Sequence, residues 1–276
     1  MPNFCASIGI LFSFAAVILL VFGEISQINS DLIPRHLRLV HIDTSGLGTA
    51  LASAAKSSGV NIAGASSNFS DIYDAAPVGE GYFVKRTDEA RHDGLRKSYE
   101  WGLWSYCTTN GDLGAPRSYC IERSIDGPRF EPAEVLLQDI PSEYADLLKQ
   151  VLPENVFTAS DYLRDYTRGA TYATMVGALS AALAALIGLF ARKFAFVLAA
   201  LFSILAFLGL AVGNIIYSVI INRAIDAINK ATVEGTDVGI AVSYGNALWI
   251  MWAATGLMLF SILPFAISCC TGRARA

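Results

Sequence analysis

Four long apolar runs constrain this chain more than any other feature. A helix rises 1.5 Å per residue, so about 20 apolar residues cross a hydrocarbon core of about 30 Å. The first run extends from Phe4 to Phe22 and meets no charge until Glu24. Spans are predicted at residues 4–23, 169–191, 194–221 and 245–268, and their interiors contain no Asp, Glu, Lys, Arg or His. A long hydrophilic loop, 24–168, and a shorter one, 222–244, connect them, and residues 269–276 form a tail. Of the 24 acidic residues, 21 fall between Glu24 and Asp165, so charge is segregated from the runs. A cleaved signal peptide is the rival reading of the first run. The missing basic n-region, and the missing small-x-small site before Glu24, favour an uncleaved span.

Orientation follows from basic residues in short loops. Arg192, Lys193, Arg273 and Arg275 fall on one side with the N-terminus, and that side is predicted to be cytoplasmic. The long first loop is exempt from this count, because long loops cross largely regardless of charge. Tyr172, Tyr217, Trp249 and Trp252 then mark the outer interface as an aromatic belt.

Two spans carry a packing signal. Ala173, Gly177, Ala181 and Ala185 recur every four residues in the second span, and Gly209 and Gly213 repeat the spacing in the third. Small residues at this spacing leave one helix face nearly bare, so another backbone can approach. The other reading is a lipid-facing helix with incidental small residues. Arg192-Lys193 leaves room only for a tight turn, which predicts an antiparallel hairpin of spans two and three. Asn214 is the main strongly polar residue within a span and is expected to make an interhelical hydrogen bond.

The long loop has a dense centre. Trp101-Gly102-Leu103-Trp104-Ser105-Tyr106-Cys107 is followed, after twelve residues, by Cys120. In an oxidising compartment the two cysteines would pair. By the chain-entropy account that closure contributes roughly 3 kcal/mol. Trp104 is expected to cover the bridge, with its indole N–H needing a partner. A buried aromatic core with two free thiols is the alternative. Cys5, Cys269 and Cys270 remain, and the last two are candidate S-acylation sites at a span end beside Arg273 and Arg275. Asn68-Phe69-Ser70 is a glycosylation sequon.

Elsewhere in the loop, 80–84, 103–108 and 121–125 read as strands, with Asp126-Gly127-Pro128 as a reversal. Residues 133–138 and 142–151 read as short helices, the second with Ser142 as a possible cap. The stretch 44–70 is rich in Ser, Gly and Ala, and its pattern leaves open a flexible segment or a small helix over 49–56. Asp161, Arg164, Asp165 and Arg168 have helical spacing just before the second span.

Gly102-Leu103-Trp104, Cys107 and Cys120, lying between the first and second spans, resemble the first-loop signature of the claudin superfamily. The long polar loop and Phe130-Glu131-Pro132 are more similar to its fungal branch. That branch comprises the four-span proteins of eisosomes and cortical actin patches, with the related PalI-type proteins. Animal claudins carry another Trp well upstream of Gly-Leu-Trp, whereas here the preceding Trp is Trp101, and the cysteine spacing is wide for an animal claudin. Tight-junction strand formation is therefore not among the implied properties. The fold expected is an all-α, left-handed four-helix transmembrane bundle with a small disulfide-stapled, β-rich extracellular module.

Enzyme constellations are missing from the sequence. His36, His41 and His92 have no zinc-ligand spacing, and phosphate-loop and nucleophile-elbow motifs do not occur. No cofactor is implied. A net charge of −4 without a basic patch gives no case for nucleic acid, and no small-molecule substrate is inferred. Transporters usually need ionisable groups inside the membrane, and these spans lack them. The resemblance implies a non-enzymatic plasma-membrane organiser, influencing cell wall, endocytosis or stress response. Its partners would be membrane lipids and integral or cortical membrane proteins, including copies of itself. The runner-up is a PalI-type accessory subunit in ambient-pH sensing, which a long cytosolic tail would favour; the tail here is only a few residues.

Overall fold

The computed structural model describes residues 4–27, 36–59, 69–73, 83–84, 94–110, 119–121, 130–153, 160–190, 193–233 and 235–271. Its helices are α1 (Phe4–Glu24), α2 (Leu47–Ser58), α3 (Pro132–Asp139), α4 (Ala145–Val151), α5 (Ser160–Gly188), α6 (Lys193–Lys230) and α7 (Asn246–Thr271). The strands are β1 (Val40–Asp43), β2 (Phe83–Val84), β3 (Ser98–Trp101), β4 (Tyr106–Thr109), β5 (Tyr119–Ile121), β6 (Thr232–Val233), β7 (Thr236–Asp237) and β8 (Ala241–Tyr244). Two compact units result. A span unit takes in residues 1–25, 169–217 and 246–276, and a loop unit takes in 26–168 and 218–245.

Among the described residues, four helices are long and apolar enough to cross a membrane: α1, α5, α6 and α7. The core of the span unit is made of small and flexible side chains. Ala16 and Leu20 of α1 meet Ala181 and Ala184 of α5, Ala206 and Leu210 of α6, and Ala254 and Met258 of α7. A second buried cluster holds Phe196 and Phe265 with Ala6 and Ala199, but many large apolar residues point the other way: Phe194 is 73% exposed and Leu179 59% exposed within the protein. That inversion suits lipid, which is as apolar as Leu and rewards close backbone approach instead. A Cβ placed on Gly177 would lie 2.8 Å from the backbone nitrogen of Leu210, and one on Gly209 would lie 2.8 Å from the carbonyl oxygen of Ala173. The α5 and α6 backbones therefore touch where only hydrogen fits. Asn214 Nδ2 donates to Thr255 Oγ1 at 2.9 Å, linking α6 to α7, and Thr171 and Tyr217 share a hydroxyl–hydroxyl bond of 2.7 Å between α5 and α6. Pro264 sits within α7, which continues to Thr271.

The loop unit is built on a six-stranded sheet of order β2-β5-β4-β3-β1-β8. All its pairs are antiparallel except β2 with β5. Its far strand comes from the second loop: Val40 of β1 faces Trp101 of β3 on one side and Tyr244 of β8 on the other. Sequence reading missed this strand, because Ala241–Tyr244 is short and exposed and has no alternation to betray it. The third apolar helix likewise runs past its expected end at Ile221 as far as Lys230. Ile221, Ala224 and Ile228 explain the extension, since they lie on one helical face and are buried. Segment 44–70 contributes α2, whose Leu47, Ala50, Leu51, Ala54 and Ala55 are buried at helical spacing. Residues 142–144 form a 3₁₀ turn, and Ser142 does not cap α4, which begins at Ala145 without a side-chain cap. Asp161 and Arg164, in the first turn of α5, pair at 2.8 Å.

Candidate functional site

Hydrogen bonding brings the aromatic centre of the long loop into place. In the β3–β4 hairpin Trp101 faces Tyr106, so Gly102 to Ser105 form the connection, closed by Gly102 N–H donating to Ser105 O at 2.9 Å. The hairpin clasps the first residues of the loop unit, Ser26 and Gln27, both fully buried. A Cβ on Gly102 would fall 2.3 Å from Ser26 O, so glycine is the residue that permits this approach. Leu103 N–H donates to Ser26 Oγ at 3.2 Å, and Ser105 Oγ donates to Gln27 O. Gln27 takes a left-handed backbone conformation, φ 55°, uncommon for a residue with a side chain.

Buried polar groups reinforce the clasp. Gln27 Nε2 donates to Leu37 O at 2.7 Å and to Glu100 Oε2 at 3.3 Å. Arg38 pairs with the other carboxylate oxygen, Oε1, at 3.1 Å, while the Glu100 side chain is only 2% exposed. A buried carboxylate without such partners would be strongly destabilising. One strand along, His41 of β1 lies between two serines. Its Nε2 is 2.9 Å from Ser98 Oγ on β3, and its Nδ1 is 3.4 Å from Ser243 Oγ on β8. Burial, and then the positive charge of Arg38, hold the His41 pKa below the usual imidazole value.

Cys107 and Cys120 lie directly opposite each other on β4 and β5 and are joined by a disulfide, with Cα atoms 4.0 Å apart. Beside the bridge runs an aromatic ladder. Trp101 stacks on Tyr99 and Tyr106 at 6.2 and 5.2 Å and meets Phe130 edge-on at 5.2 Å. The sequence assigned the covering role to Trp104, but Trp104 is only half-buried and Trp101, 2% exposed, is the centre of the ladder. The reason is register: a strand residue at 101 points into the sheet core, whereas 104 lies in the connection.

Below the ladder, Tyr99 and Tyr119 both donate to Asp139 Oδ2, at 2.8 and 2.6 Å. The backbone carbonyl of Asp139 accepts from Gly94 N–H at 2.9 Å, and Arg96 lies 5.6 Å over the Tyr119 ring. Burial and the neighbouring Asp139 push the Tyr99 hydroxyl well above its ordinary pKa, so it stays a donor. Sequence reading did not single out Gln27, Glu100, Arg96 or Asp139. A polar residue in a polar loop carries no mark of burial until its partners are known.

The remaining predicted positions separate into two groups. Ala173, Gly177, Ala181, Ala185, Gly209 and Gly213 are in α5 and α6 of the span unit. Asn68 lies outside the described residues, as do Arg192, Arg273, Arg275 and the predicted reversal at 126–128. Cys269 and Cys270 end α7, but their side chains are also outside the described set. Among the described residues no three His, Cys, Asp or Glu side chains converge as a metal site would require.

Four helices long and apolar enough to cross a membrane, and a disulfide-stapled, mainly antiparallel sheet built from both polar loops, define a claudin-like multi-pass membrane protein. The chain matches the SUR7/PalI family over residues 5–262 and belongs to it. No individual curated protein matches the chain.

Proposed function

We propose that this protein is a non-enzymatic organiser of the plasma membrane, of the eisosome or cortical-patch type within its family. It would hold a membrane domain together by lateral contacts with lipids, with integral or cortical proteins and with further copies of itself. The observation that supports this reading is the character of the spans. They have no ionisable interior residue, and α5 and α6 pack closely through glycine. Such a bundle is a scaffold for what projects from it. In this reading both termini are cytoplasmic and the disulfide-bearing loop is extracellular. The test is fluorescence imaging of the tagged protein in a fungal host, beside mild-detergent capture with mass spectrometry. Stable cortical clusters and co-purifying cortical proteins are expected; uniform surface fluorescence with no such proteins would overturn the proposal. Topology is checked separately: a tag after Ala276 should resist protease in intact cells, and one near Ser66 should be cleaved.

A second reading, an accessory subunit in ambient-pH sensing, is favoured by one feature. His41 bridges strands from both loops and has a lowered pKa. A receptor captured with the protein in a pH-dependent manner, lost in His41→Gln, would favour this reading over the first.

A further inference from the structure

A cavity of about 520 Å³ opens on the loop unit, lined by the β1–α2 turn, the 3₁₀ turn Ser70–Tyr73 and the open end of the β3–β4 hairpin. Its size lies within the range of small-molecule sites, about 300–1,000 Å³. Ser45, Thr49, Ser70, Lys97 and Asn110 line it together with Tyr73. Among the described residues the wall therefore offers hydroxyls, one amide, one ammonium and one aromatic ring, with no carboxylate and no wholly aliphatic side chain.

This inventory discriminates between ligand classes. An anion would look to the start of α2 for backbone donors. Those donors are committed: Ser45 N–H to Asp43 Oδ1 at 2.8 Å, Leu47 N–H to Thr44 O at 3.0 Å, Gly48 N–H to Tyr73 Oη at 3.2 Å and Thr49 N–H to Gly46 O at 3.2 Å. Asp43 further places negative charge at that end. An apolar ligand would meet, among the described residues, only the Lys97 stem, the Thr49 methyl group and the Tyr73 ring, each beside a polar group. The Tyr73 hydroxyl is occupied twice, donating to Thr44 O and accepting from Gly48 N–H, so what Tyr73 has left to offer a ligand is its ring. Ser45, Thr49, Lys97 and Asn110 have side-chain groups without a partner among the described residues. Dispersed donors and acceptors around one aromatic face match a sugar ring, whose hydroxyls point outward and whose C–H face is apolar.

We propose that this cavity is a binding site for a neutral saccharide, with Thr49, Lys97 and Asn110 bonding sugar hydroxyls and Tyr73 packing against the ring. The site goes beyond the membrane-organiser reading and stands or falls independently of it. The test uses the full chain in phosphatidylcholine nanodiscs, free of glycoside detergent. Tetrasaccharides of β-1,3-linked glucose, N-acetylglucosamine and mannose are titrated by saturation-transfer NMR, with inorganic phosphate as the anionic probe. Binding of at least one tetrasaccharide is expected, weakened tenfold or more by Lys97→Ala with Asn110→Ala and not competed by phosphate. Should that double variant lose its disulfide or its cooperative melt, Thr49→Val removes one hydroxyl at nearly constant shape and is expected to weaken binding severalfold. No binding of any tetrasaccharide, binding indifferent to these variants, or binding of phosphate in their place would each overturn the proposal.

Discussion

The span unit and the loop unit solve opposite packing problems with the same chain. In the spans, the interior is rich in Ala, Gly and Ser, with Leu, Met and Phe265 filling between them, and much of the bulk faces outward. In the loop unit, the interior holds Tyr99, Trp101, Tyr119, Arg96, Glu100 and Asp139, and order comes from hydrogen bonds and a disulfide. Lipid removes the hydrophobic drive between helices, so contact there depends on how closely backbones approach. Water supplies that drive to the loop. Its sheet is made of strands of four residues or fewer, so buried polar pairs and a covalent link supply specificity that a larger core would give elsewhere. The two units should therefore fail in different ways.

The largest effect is expected at Asp139. Asp139→Ala strands two buried tyrosine hydroxyls at once, and each unmet buried donor costs about 1–3 kcal/mol. Unfolding of the loop unit, followed by tryptophan fluorescence in denaturant, should shift by about 3 kcal/mol or more. Asp139→Asn keeps an acceptor and should recover part of the loss. If Asp139→Ala unfolds like the wild type, the polar core does not hold this unit together.

Next comes the bridge. Cys107→Ala removes a staple typically worth about 2–5 kcal/mol in small secreted modules. The variant should be retained in the secretory pathway, while peptide mapping of the native protein without reductant recovers residues 107 and 120 in one linked fragment. Free thiols at both positions in the native protein would count against the pairing.

In the span unit the comparison is sharpened by Gly177→Leu against Leu179→Ala. The first adds apolar surface but drives a side chain into the Leu210 backbone. Overpacking of this kind costs about 1–3 kcal/mol. The second deletes apolar surface from a residue that is 59% exposed within the protein. Gly177→Leu should insert normally yet melt earlier in detergent and disperse any surface clusters, and Leu179→Ala should do neither. The reverse result would mean that the α5–α6 contact is not the one that matters.

The smallest effect is a pH dependence confined to the loop unit. The folded-state pKa of His41 lies below its unfolded value of 6.5. At a pH below 6.5 the unfolded chain takes up a proton that the folded chain resists, so stability is complete above that point and declines as pH falls. His41→Gln should flatten the acid limb of the melting curve between pH 7 and 5, leaving the span variants' pH response unchanged.

For this chain, the apolar runs alone determined that four helices would cross a membrane, because crossing depends on local length and hydropathy. The cysteines and the aromatic cluster marked the stapled module for a similar reason: pairing of Cys107 with Cys120 needs only a short loop. The ladder Ala173, Gly177, Ala181, Ala185 announced a bare helix face, since spacing along one helix is fixed by its own geometry. Only the tertiary structure decided what meets that face, that Gly102 yields space to Ser26, and that Trp101 and not Trp104 anchors the aromatic ladder. It alone placed β8 beside β1 and drew Glu100 to Gln27 and Arg38. These are pairings between distant segments. A strand of four residues, or a glutamate in a polar loop, has the same local pattern whether it is paired or solvated, so its role is set by a partner that neighbouring sequence does not encode.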